Sequence, residues 1–116
     1  MANVIELEQE AAKHEGVFEH ALSGKGSMSV EDLTTLSELD PSLYNKYLTA
    51  SDDEWYDASY QAYSEWLEAR IAGYPKDSAA YKALTQEKIE LDREYYETQQ
   101  EKALSYFNGL TEKYDE

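Results

Sequence analysis

SDDEWYDASYQAYSEWLEARIAGYPKDSAAYKALTQEKIELDREYYETQQEKALSYFNG, positions 51 to 109, is the stretch on which the fold turns. It opens with Ser51 and, three residues on, Glu54, the spacing of a capping box. Asp52, Asp53 and Glu54 gather where a helix N-terminus carries partial positive charge. Apolar and aromatic residues then recur at helical spacing up to Gly73, and Pro75 blocks continuation two residues later, so a helix is predicted over 52–72. The pattern resumes after Lys76 and runs without Gly or Pro to Asn108-Gly109. That predicts a helix over 77–107 of about 30 residues, roughly 45 Å at 1.5 Å per residue. Joined by the short Gly73-Tyr74-Pro75 turn, the two should form an antiparallel hairpin.

Working back toward the N-terminus, Asp40-Pro41 is a second start signal, because Pro tolerates the first helical turn. Leu43, Tyr44, Tyr47 and Leu48 then supply an apolar face for a helix over 41–50. Ser29 with Asp32 resembles an N-cap ahead of Val30, Leu33 and Leu36, predicting a helix over 30–38. Ser23-Gly24-Lys25-Gly26-Ser27 has the backbone freedom of a loop, here 23–29. Val4, Leu7, Ala11, Phe18 and Leu22 share about a third of a helical wheel and predict an amphipathic helix over 4–22. Gly16 inside it costs about 1 kcal/mol relative to Ala and is a candidate point of fraying or kinking. The expected architecture is all-α: a single-domain bundle of about five helices over residues 1–116, ending in the long hairpin.

Composition narrows the function classes. A chain of 116 residues fits one domain able to fold without metals or disulfides. It contains no cysteine, which removes disulfides, thiolate zinc sites and cysteine nucleophiles. Its 25 Asp and Glu against 10 Lys and Arg give a formal charge of −15, which repels nucleic acid and anionic membranes. Acidic chains of this charge are disordered when poor in aromatics, but 11 Tyr, 2 Trp and 2 Phe favour a folded domain. No stretch reaches the roughly 20 apolar residues of a membrane span, and the N-terminus lacks a signal-peptide pattern. The expected setting is a cytosol or the inside of a particle. Size, absence of cysteine and Tyr-rich acidity are in the manner of a viral or phage accessory product.

Two surfaces stand out. In 52–72, Trp55, Tyr56, Tyr60, Tyr63 and Trp66, with Ala58, Ala62 and Leu67, spread over roughly 200° of the wheel, wider than the ~100° one packing contact needs. Either several helices of the same chain cover this face, or it is an aromatic interface for a partner or a second copy. In 77–107, Glu87, Glu90, Glu94, Glu97 and Glu101 alternate at spacings of three and four, which aligns them within about 80° of arc. Like charges so placed weaken a helix by a few tenths of a kcal/mol per pair, and Lys88, Arg93 and Lys102 compensate only in part. The row is either a solvated face or, with Asp53 and Asp57 among the acids of helix 52–72, an imitation of nucleic-acid phosphates that occupies a basic groove.

Chemistry is harder to find. His14 and His20 are six residues apart and point in different directions, so they do not jointly ligate a metal, and His14 is placed to pair with Glu10. No Glu precedes either histidine by three residues, as helical di-iron sites require. The Asp52, Asp53, Glu54, Asp57 group lacks the Ca²⁺ loop and reads as capping, and Gly24-Lys25-Gly26-Ser27 lacks the phosphate-loop spacing. No catalytic, cofactor or metal site is expected. The function expected is non-enzymatic protein–protein interaction or assembly, as a homo-oligomer or part of a larger complex. The alternative is an acidic nucleic-acid mimic that inhibits a DNA- or RNA-binding protein such as a host defence nuclease.

Overall fold

The computed structural model describes residues 4–114, with side chains over 8–109. It is all-α, and no strand occurs among the described residues: α1 is Val4–Leu22, α2 Val30–Leu39, α3 Pro41–Thr49, α4 Asp52–Ala72 and α5 Ala79–Tyr114, with one 3-10 turn at Lys25–Ser27. The chain divides into two compact units, Met1–Trp66 and Leu67–Glu116, the boundary falling within α4.

Side-chain caps set the starts of the short helices. Ser29 and Asp32 form a complete capping box: the Asp32 N–H donates to Ser29 Oγ at 3.0 Å and the Ser29 N–H to Asp32 Oδ2 at 2.9 Å. Asp40 ends α2 and begins α3, taking the Leu43 N–H on Oδ1 at 3.0 Å with Pro41 at the first helical position. Ser51 takes the Glu54 N–H at 3.3 Å to start α4, and Ser78 takes the Tyr81 N–H at 3.2 Å to start α5. Helix α4 has the predicted bounds.

The core of the first unit is built from Val17, Phe18 and Ala21 of α1, Met28, Leu36 of α2, Leu43 of α3, Ala50, and Trp55, Tyr60 and Tyr63 of α4. Trp55 is 1% exposed; its Nε1–H donates to the Ala21 carbonyl at 2.8 Å and its ring meets Tyr47 edge-on at 5.6 Å. Phe18 packs against Tyr63 and Trp66 at centroid distances of 5.5 and 5.4 Å. Val17 and Ala21 are buried beside Phe18, so the packed side of α1 is rotated by roughly 60° from the face read off the sequence. Val4 and Leu7, expected on that face, lie outside the residues whose side chains are described. Helix α1 runs unbroken through Gly16.

The predicted loop 23–29 holds more order than its glycines imply. Gly24 has φ +118°, a conformation that side chains disfavour, and leads into the 3-10 turn. From that turn the Lys25 ammonium donates to the Ala50 carbonyl at the end of α3 and lies over the Tyr47 ring, 5.9 Å from its centroid. His20 Nδ1 lies 2.9 Å from Asp32 Oδ2, linking the end of α1 to the capping box of α2.

In the second unit the chain reverses after Ala72. The Gly73 N–H donates to Arg70 and the Tyr74 N–H to Ile71, each at 3.1 Å, and beyond Pro75 the Ser78 cap launches α5. Lys88 of α5 then meets Glu68 of α4 at 3.3 Å. Leu67, Leu84 and Leu91 are the buried apolar residues of this unit among those described. Helix α5 does not stop at Asn108-Gly109 as predicted but continues to Tyr114. Gly109 does not take the left-handed backbone of a C-terminal cap, and no Pro follows it, so nothing there outweighs helix propagation.

Candidate functional site

Helix α5 spans 36 residues, about 54 Å at 1.5 Å per residue, and its sides differ sharply. Leu84 and Leu91, seven residues apart, are buried, with half-buried Tyr81, Lys88 and Tyr95 beside them. Roughly 120° around the helix, Glu87, Glu90, Glu94, Glu97 and Glu101 are all exposed. The periodicity that aligns them therefore places them on one solvent-facing stripe, rising 21 Å or so from first to last.

Lys88 does little to offset that row. Its ammonium is held by Asp92 at 3.0 Å and Glu68 at 3.3 Å. The Asp92 hydrogen bond is the main cause of a pKa raised above the usual lysine value, and partial burial opposes it. Asp53 and Asp57 belong to the first unit, exposed and half-buried respectively near the start of α4.

The aromatic face of α4 is largely taken up inside the chain. Trp55, Tyr60 and Tyr63 are buried, and Tyr56 and Trp66 are half-buried. Tyr63 also donates its hydroxyl to Glu15 at 3.2 Å. The physical reason is the one its width implied: Phe18 of α1 and Tyr47 of α3 both lie against this face.

No protein-family model, curated protein or solved structure matches the chain.

The histidines do not converge. His14 lies 3.9 Å from Glu10 in an open depression with Lys13, Thr35 and Glu38, while His20 is paired with Asp32. Among the described residues no group of three or more His, Asp or Glu is placed to hold a metal ion, and no helix is long and apolar enough to cross a membrane.

One feature escaped the sequence reading. Every residue over 100–109 is exposed although helical, and Leu104, Tyr106 and Phe107 are 62%, 64% and 61% exposed. Ile89 and Tyr96, further back, are also open to solvent.

Proposed function

We propose that the protein is a non-enzymatic interaction protein that docks on another protein, as part of a larger complex, through the outer side of α5. The observation that carries this reading is the exposure of all five glutamates of the row on a helix whose residues over 100–109 are likewise all exposed. Monomeric soluble domains tend to hide large apolar side chains, and an exposed run of them rimmed by charge is the usual mark of a contact surface. Burial of Trp55, Tyr60 and Tyr63 directs the reading away from the α4 aromatic face.

The test is affinity capture with mass spectrometry on the full chain, repeated with Glu90, Glu94 and Glu97 changed to Gln. All three are exposed, so the change leaves the core intact. Loss of a specific partner in the Gln variant alone supports docking through α5; retention of every partner rejects it.

The exposure of all five glutamates also favours a second reading, imitation of nucleic-acid phosphates in a basic groove. Carboxylates rising about 5 Å apart make a sparser version of the field of a DNA strand, which carries one charge per 3.4 Å. That reading requires the captured partner to be released by DNA and by rising salt. A complex indifferent to both leaves ordinary protein docking.

A further inference from the structure

We infer that α5 between residues 89 and 107 receives a basic amphipathic helix from its partner, an inference that rests on the docking reading above. Tyr106 apart, which projects about 100° from Phe107 around the helix, the large exposed apolar side chains of α5 gather on one side. At 100° per residue Ile89, Tyr96 and Phe107 fall within about 20° of one another, and Leu104 lies about 60° further on. Leu104 thus borders the glutamate row directly, since Glu97 and Glu90 come next around the wheel. All of these side chains are exposed, so the apolar stripe and the acidic row form one continuous surface on a single helix.

Its chemistry selects the occupant. Glu90, Glu94, Glu97 and Glu101, exposed along one edge, call for cations, and a second copy of a chain of charge −15 brings the opposite. The apolar stripe calls for side chains that leave water, which the charged backbone of a nucleic acid does not offer. Cations and apolar groups in adjacent rows, repeating every 5 Å or so, are what an amphipathic helix with Lys or Arg at spacings of three and four presents. The distance from Ile89 to Phe107, about 27 Å, sets its length at roughly 18 residues. Arg93, which projects within the apolar stripe, would meet an acidic or aromatic side chain of the incoming helix.

The probe is a synthetic 20-residue peptide with Leu on one helical face and a row of Lys along its flank, beside a scrambled peptide of the same composition. Binding to the full chain is followed by calorimetry at low and high salt, and by amide hydrogen exchange. The ordered peptide should bind at least about tenfold tighter than the scrambled one and raise exchange protection over 89–107 alone. Leu104→Ala with Phe107→Ala should weaken it about tenfold, as should the Glu90, Glu94, Glu97 to Gln triple change, and only the latter should flatten the salt dependence. Circular dichroism of each variant checks that the helices persist.

Equal binding of both peptides, or indifference to Leu104→Ala with Phe107→Ala, overturns the inference and leaves charge alone. A concentration-dependent dimer in sedimentation equilibrium, broken by Leu104→Ala with Phe107→Ala and not displaced by the peptide, overturns it in favour of a second copy. If the peptide fails while affinity capture still yields a partner lost in the Gln variant, the docking reading stands and this inference alone falls.

Discussion

Replacing Trp55 with Phe tests the central packing claim of the first unit. Two costs follow from the structure. The change removes the Nε1–H that donates to the Ala21 carbonyl at 2.8 Å, but that carbonyl also accepts the Gly24 N–H at 3.1 Å. It is therefore not orphaned, and the loss is that of an ordinary hydrogen bond, about 1 kcal/mol, not the larger penalty of a buried unpaired oxygen. The smaller ring also leaves part of a site that is 1% exposed unfilled, at roughly 1–2 kcal/mol for lost transfer energy and residual void. Together these lower stability by about 2–3 kcal/mol. At about 2.1 cal/mol/K of unfolding entropy per residue, the midpoint should fall by roughly 10 °C. The assay is urea unfolding followed by circular dichroism at 222 nm, with thermal melts alongside and proton NMR to check that the wild-type indole N–H is protected from exchange. A loss below about 0.5 kcal/mol, or unchanged stability with an altered oligomeric state, would refute the burial argument and return the α4 aromatic face to the surface.

Gly16→Ala should stabilise by about 0.5–1 kcal/mol, because α1 is continuous there and nothing lies within 4 Å of the added Cβ; a lower urea midpoint would contradict this. Ser59→Ala should be neutral or stabilising, since the Ser59 hydroxyl is fully buried with no hydrogen-bond partner among the described residues, and a loss above about 1 kcal/mol would reveal a partner. Burial pushes the Asp32 pKa up, but the Ser29 N–H, His20 and the Ser29 hydroxyl outweigh it and hold the carboxyl below its usual value. The resulting stability is present above the ordinary aspartate pKa and is lost as pH falls through the depressed one. The stability gap between wild type and Asp32→Asn should accordingly be full at about pH 5 and shrink below about pH 4. A gap that stays constant to pH 2 or so would show that Asp32 contributes no charge-dependent capping.

What the sequence made legible was local. Ser29 with Asp32, Asp40-Pro41 and Ser51 with Glu54 each set a helix start through side chains three residues apart or a preset φ, and no distant contact is needed to read them. The glutamate row was legible for the same reason, as 3.6-residue periodicity alone puts its members on one side of a helix. The Lys25 bond to Ala50, the Trp55 bond to Ala21 and the His20 pair with Asp32 join residues 25, 34 and 12 positions apart, and no local pattern announces them. The burial of Trp55, Tyr60 and Tyr63 was undecided on the sequence because periodicity says which residues share a side and not what lies against it. Gly109 does not end α5, because a single glycine costs only about 1 kcal/mol and a helix already propagating absorbs that.

Docking and helix stability are connected at the end of α5. Over 100–109 no side chain is buried, so these turns persist by propagation from the packed turns before them, and glutamate repulsion works against that propagation. Segments with little burial open at far lower free energy than a core, and the end of α5 is therefore the part whose order a ligand can change most. A cationic helix laid on Glu90, Glu94, Glu97 and Glu101 would remove the repulsion and cover Leu104 and Phe107 in the same step. Binding there should consequently be read out as slowed amide exchange at the end of α5 before any change in the global unfolding midpoint, and the reverse order would mean that the partner grips the packed part of the chain.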